Sequence, residues 1–145
     1  MMVFTAPDDM CRTISNWRAA GDSVCLVPTM GAIHDGHLAL MTAAKKAAKR
    51  IVVSIYVNPT QFDQPDDLKI YPRTLDTDVE LAASLGADLV FAPSWEEMYP
   101  DEFRYQVDEV EFSRELCGAH RAGHFTGVLT VVMKLLNIVK PERAY

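Results

Sequence analysis

At 145 residues, 49% hydrophobic and 23% charged, the chain carries enough apolar material for one compact domain with a core of its own. A formal net charge of -6 excludes the broad basic surface that nucleic acids require, while leaving room for a few local donors around a single phosphate-bearing ligand. No apolar run approaches the roughly 20 residues of a membrane span, because Lys134 interrupts the most hydrophobic stretch.

The first ten residues, with Pro7, Asp8 and Asp9, lack the apolar centre of a secretory signal, so none is expected. Met10, Ile14 and Trp17 recur at helical spacing and predict a helix over residues 8–20, stopped by Gly21. Ser23 to Val27 then reads as a buried strand carrying Cys25. Cys11, Cys25 and Cys117 are odd in number and widely spaced, which suits free thiols in a reducing cytoplasm. A second helix is expected from about Gly36, with Asp35 as N-cap and Leu38, Met41 and Ala44 or Ala48 on one face. Lys45, Lys46, Lys49 and Arg50 should crowd its last turns, at the negative end of the helix dipole.

Ile51 to Val57 is nearly all apolar and β-branched, as in a strand covered on both faces. Leu75 to Leu85 predicts another helix, with Asp76, Asp78 and Glu80 early and Gly86 as its stop, and Asp88 to Ala92 a further short strand. Beyond it, Phe103 to Val107 suggests an edge strand and Phe112 to Leu116 a helical piece. Thr126 to Val139 is a strong helix with Val128, Val131, Val132, Leu135 and Leu136 on a wide apolar face. Pro141 stops it, and Arg143-Ala144-Tyr145 resembles the opening of a strand. Strands and helices alternating with short connections predict an α/β doubly wound parallel sheet with right-handed crossovers, truncated at its C-terminal end.

In such sheets ligands bind beyond the C-terminal ends of the strands. Two segments emerge there: Pro28 to His37, and Asn58 to Gln64. The first carries His34 and His37 three residues apart, flanked by Gly31 and Gly36, where a strand hands over to a helix N-terminus. Unpaired amides and the positive end of the dipole attract anions at such a point, and two imidazoles on one face add donors suited to phosphate. Asn58 and Gln61 offer paired donors and acceptors for a hydroxyl or carboxylate. The chain contains neither G-x-x-x-x-G-K-[ST] nor G-x-G-x-x-G. A rival use of the imidazoles combines His34 and His37 with His120 and His124 around zinc. A blander one makes them capping or packing residues, and His124 could itself cap the helix that follows it.

The run Pro28-Thr29-Met30-Gly31-Ala32-Ile33-His34-Asp35-Gly36-His37-Leu38 resembles the pantothenate synthetase family of the Rossmann-like, HIGH-motif nucleotidyltransferases. So do Val57-Asn58-Pro59-Thr60-Gln61-Phe62, Tyr71-Pro72-Arg73-Thr74, Asp88 to Pro93, Met98-Tyr99-Pro100, Gly123-His124-Phe125 with Gly127-Val128, and Lys134 to Val139. The resemblance implies an ATP- and magnesium-dependent condensation of (R)-pantoate with β-alanine through a pantoyl adenylate, releasing AMP and pyrophosphate. It assigns ATP to Met30, Gly31, Ala32, Ile33, His34, Asp35, Gly36 and His37, with His34 and His37 catalytic and His37 the usual proton donor. It assigns pantoate and β-alanine to Gln61, Pro28, Thr29, Met30, Asn58, Val128, Val131, Val132 and Leu135.

Residues 1–145 would be most of an N-terminal nucleotide- and pantoate-binding domain, with the smaller lid domain absent. No residue of this sequence is assigned to metal, whose ligands the family carries mainly elsewhere. A cytoplasmic homodimer is expected, with neither nucleic acid nor membrane as partner. Ala122 stands where the family usually has proline. Two alternatives remain: another adenylyl- or cytidylyltransferase of the same superfamily, or a non-catalytic unit that only folds, dimerises or binds pantoate.

Overall fold

Five parallel strands form one sheet in the computed structural model, which describes residues 1–145. They are β1 (Met2–Phe4), β2 (Val24–Thr29), β3 (Arg50–Ile55), β4 (Leu89–Phe91) and β5 (Arg143–Ala144), in the order β1-β4-β3-β2-β5. The helices are α1 (Pro7–Ala19), α2 (Asp35–Ala47), α3 (Pro65–Ile70), α4 (Leu75–Ser84), α5 (Trp95–Met98) and α6 (His124–Val139). The inner strands β2, β3 and β4 alternate their side chains between two cores. Val24, Leu26 and Val52 meet Met10 and Ile14 of α1 and Val131, Leu135 and Val139 of α6 on one face. Cys25, Val27, Ile51, Val53 and Ile55 meet Met41 and Ala44 of α2 and Ala82 of α4 on the other. Each buried aliphatic side chain contributes about 1.5–3 kcal/mol, so both faces must be covered for so apolar a sheet to exist in water. The doubly wound α/β class is as expected.

The order of the strands positions the site. From β2 the chain steps through β3 to β4 with α2 and α4 on one face, then crosses under the sheet with α6 and returns beside β2 as β5. Winding therefore diverges at the C-terminal end of β2, where open α/β sheets leave a crevice. Pro28 lies inside β2, opposite Ser54. Its missing N–H faces the β5 side, because Glu142 and Tyr145 donate their amides to the Val24 and Leu26 carbonyls there. β5 pairs only with Cys25 and Leu26, so no strand stands beside Pro28 to want a donor.

Several expectations need correction. Lys49 and Arg50 do not finish α2, which stops at Ala47. Instead Lys49 and Arg50 (Nε at 2.8 Å) pair with Asp22, and Arg50 Nη1 reaches Asp88 at 2.9 Å, closing the N-terminal ends of the strands. Phe103 to Val107 is no strand: the Val107 amide donates to Thr130 Oγ1 of α6 at 2.9 Å instead of joining a ladder. The true edges are β1, three residues beside β4, and β5, which the Arg143-Ala144-Tyr145 signal anticipated. Phe112 to Leu116 yields two short 3₁₀ turns, Phe112–Arg114 and Leu116–Ala119.

Candidate functional site

Between β2 and α2 the chain makes a tight turn whose amides are almost all spent internally. Thr29 Oγ1 donates to the Ser54 carbonyl at 2.8 Å and accepts the Gly31 amide at 3.1 Å. The amides of Ala32 and Ile33 donate to Asp78 Oδ2 and Oδ1 at 3.0 and 2.8 Å. Gly31 has φ +81, and a Cβ there would come within 2.8 Å of Asp78 Oδ2, so glycine is required for both reasons. The unpaired amides expected where the strand hands over to the helix are therefore mostly paired within the protein. The Asp35 amide remains an open donor, while the His37 amide meets the His34 side chain in the capping box.

The N-cap of α2 is His34, not Asp35. His34 is extended (φ -135, ψ 176), and its Nδ1 accepts the Gly36 amide at 3.1 Å. In return, His37 Nδ1 accepts the His34 amide at 3.4 Å. Asp35 becomes the first helical residue, where a carboxylate meets the positive end of the dipole. Capping and ligand binding are not rivals here. A neutral imidazole whose Nδ1 accepts must carry its proton on Nε2, so the capping pattern assigns both histidines as Nε2–H donors. The rings lie 4.1 Å apart, centroid to centroid, and both line the same cavity. Burial and then the neighbouring His34 hold His37 below the ordinary histidine value, with Asp78 opposing them. The neutral donor form is thereby favoured.

Facing the histidines, the turn Pro59–Gln61 follows β3. Asn58 is buried with its amide committed: Nδ2 donates to Gln61 Oε1 and to the Gly127 carbonyl, both at 3.1 Å, and Oδ1 accepts from Thr60 Oγ1 and from Tyr99 Oη, both at 3.0 Å. Asn58 therefore does not reach the cavity. It orients Gln61, whose Oε1 is occupied and whose Nε2 is left to donate outward. The Gln61 carbonyl is held in turn by His124 Nδ1 at 2.7 Å and Arg121 Nη2 at 3.3 Å, and Arg121 is anchored on Asp63 at 3.1 Å. His124 is the first residue of α6 rather than its cap.

Pro28, Thr29, Met30, His34, His37 and Gln61 share a cavity of about 380 Å³ with Val128, Val131, Val132 and Leu135. Its lining combines imidazole and amide donors with an aliphatic wall from α6. Tyr56 and Tyr71 also line it and were not singled out from the sequence. Tyr71 belongs to the Tyr71-Pro72-Arg73-Thr74 motif, and a tyrosine after an apolar strand is the one signal Tyr56 carries. Beyond the partition formed by Met30 and Tyr56 lies a larger cavity, about 460 Å³, which Gly31, Arg73, Thr74 and Asp78 help line. Of the two, the smaller one alone is lined by the histidines.

Of the other residues assigned to ATP, Ala32, Ile33, Asp35 and Gly36 shape the turn without lining either cavity. His120 and His124 are not gathered with His34 and His37, so the zinc arrangement does not assemble. The one carboxylate lining either cavity, Asp78, is engaged by three hydrogen-bond donors, and no group of three candidate metal ligands is present.

A model of the family described as pantoate-beta-alanine ligase matches residues 2–145. A pantothenate synthetase of Cereibacter sphaeroides is 52% identical over 132 residues, covering 91% of this chain and 47% of that protein. One from Fervidobacterium nodosum is 55% identical over 125 residues, covering 86% and 45%. The crystal structure of the Francisella tularensis pantoate-beta-alanine ligase, complexed with beta-gamma ATP and beta-alanine, superposes with a TM-score of 0.94 at 40% identity, over 100% of this chain and 56% of that one. The chain thus spans about half the length of the relatives it matches.

Proposed function

Since the chain belongs to the pantoate-beta-alanine ligase family, we propose that its cavity is the pantoate and phosphate end of an ATP-dependent ligase joining (R)-pantoate to β-alanine. The pantoate carboxylate attacks the α-phosphorus of ATP, the bond to the β-phosphate oxygen breaks, and pyrophosphate leaves. The β-alanine amine then attacks the acyl carbon and loses a proton to solvent, and AMP departs with the electrons of the acyl–oxygen bond. Little of this is covalent work for the protein, so positioning and charge stabilisation dominate.

The single observation that carries the reading is the mixed lining of this cavity, polar donors together with an aliphatic wall. Val128, Val131, Val132 and Leu135 suit the dimethyl group of pantoate, and the Gln61 amide suits its hydroxyl and carboxylate. The Nε2–H groups of His34 and His37 face charge developing on the phosphates, with His37 as proton donor. Gly31, Ala32, Ile33, Asp35 and Gly36 shape the ATP side of the turn. All these donors are neutral, so an anion is bound by hydrogen bonds rather than by a buried cation.

The reading includes a homodimer in a reducing cytoplasm, in keeping with three free cysteines. Magnesium would come with the triphosphate, and no step is routed through it here. In the enzyme carrying these residues, labelled pyrophosphate should exchange into ATP when pantoate is present and not otherwise. Exchange that ignores pantoate, or none with it, overturns the assignment.

A further inference from the structure

Asp78 sits in the first turn of α4, 2% exposed, with no lysine, arginine or histidine in ion-pair contact. A buried carboxylate without a cation is costly unless its lone pairs are filled. Here three donors reach it: the Ala32 amide, the Ile33 amide, and Thr74 Oγ1 at 3.0 Å to Oδ2. Thr74 is the N-cap residue of α4, yet its hydroxyl makes no cap bond to the helix backbone. The amides that Asp78 binds flank the least comfortable point of the turn, Ala32 at φ +49, where a side chain is rarely accepted. Immediately downstream stands His34, whose backbone amide is the one that His37 caps.

We infer that Asp78 is a positioning residue for the histidine pair: by gripping the Ala32 and Ile33 amides it fixes the turn that aims both Nε2–H groups into the cavity. It also withholds those two amides from any anion, which is left to the imidazoles and the open Asp35 amide. Asparagine cannot replace it. One oxygen could still accept one amide, but the NH₂ would face the other donor. The consequence for phosphate rests on the reading of the cavity given above, whereas the positioning itself does not.

The test is long-range ¹H–¹⁵N NMR of the histidine rings in unliganded protein, for the unaltered chain, Asp78→Asn, and Asp22→Asn as a control carboxylate of similar burial at the far end of the strands. The unaltered chain should show both rings as the Nε2–H tautomer, and Asp78→Asn should mix the tautomers. Asp78→Asn should also speed exchange of the Ala32 and Ile33 amides at least roughly tenfold. Asp22→Asn should lower the melting temperature and leave the rings alone.

Unchanged rings and amides in Asp78→Asn, or equal disturbance in Asp22→Asn, overturn the inference. Should Asp78→Asn not fold, exchange in the unaltered chain decides. Ala32 and Ile33 amides as slow as the strand ladder support the role, and amides as fast as that of Asp35 refute it. Inorganic pyrophosphate, added last, separates the two claims. If it fails to bind while the rings respond to Asp78→Asn, the phosphate reading falls and the positioning stands.

Discussion

His34 and His37 each use Nδ1 to close the first turn of α2 and keep Nε2–H for the cavity. Protonating either ring would place a proton on the accepting nitrogen and oppose the cap. The His37 value is already depressed, chiefly by burial. With the folded value below the unfolded one, the unfolded chain takes up more protons in the window between them. The His37 share of stability is therefore full above about pH 6.5 and is lost as pH falls through its own lower value. Urea melts between pH 7 and 5 should show the decline, and His37→Gln, which cannot titrate, should flatten it. In the proposed enzyme, His37→Ala removes a preorganised donor, and turnover should fall roughly a hundredfold, about 3 kcal/mol of barrier; an unchanged kcat removes its assigned role. Gly31→Ala should destabilise by about 1–3 kcal/mol from its positive φ alone, with the Asp78 contact adding to the loss.

Among the elements, the contact between α6 and the Pro59–Gln61 turn matters most to the cavity, because it joins the aliphatic wall to the amide donor. Gly127 allows it: a Cβ there would collide with the Thr60 carbonyl. Asn58 clamps the same joint through the Gly127 carbonyl and Tyr99 Oη. Asn58→Ala leaves both without that partner, and each unsatisfied buried group costs about 1–3 kcal/mol. Denaturant melts should register that loss, and pantoate affinity should fall with it as Gln61 loses its orientation. Asn58→Asp should be less harmful to Tyr99 and Thr60 and more harmful at the Gly127 carbonyl, where two acceptors would meet.

At the scale of the molecule, the two ends of the sheet do different work. The Asp22, Lys49, Arg50 and Asp88 group closes the N-terminal ends of the strands, and the cavity opens at their C-terminal ends. A second ion pair, Lys134 to Asp101 at 2.9 Å, ties the segment after α5 to α6. It contributes most to holding the Asp101 carboxyl at about 2, with the Tyr105 amide assisting. A depressed carboxylate lends stability above its ordinary value and loses it as pH falls through the folded one. Thermal melts between pH 5 and 2 should decline accordingly, and less steeply in Lys134→Met. An identical decline in that variant would show that the pair adds nothing to acid sensitivity.

What the sequence by itself determined is whatever has a local period or a local motif. β-branched runs read as buried strands, helical spacing gave the stripes of α1, α2 and α6, and the His34-x-x-His37 turn after a strand marked the crevice. Matching motifs along the chain carried the family. The tertiary structure decided which donor meets which acceptor. Asp78 reaches Ile33 across 45 residues, and Asn58 reaches Gly127 across 69. No local pattern separates Asp78 from Asp76, or a site asparagine from one wholly spent on its neighbours. Hydrogen-bond partners are chosen by packing in three dimensions, after the sheet has brought distant segments together. For the same reason β1 was hard to read: a strand of three residues has too little period to announce itself, and exists because β4 offers its edge.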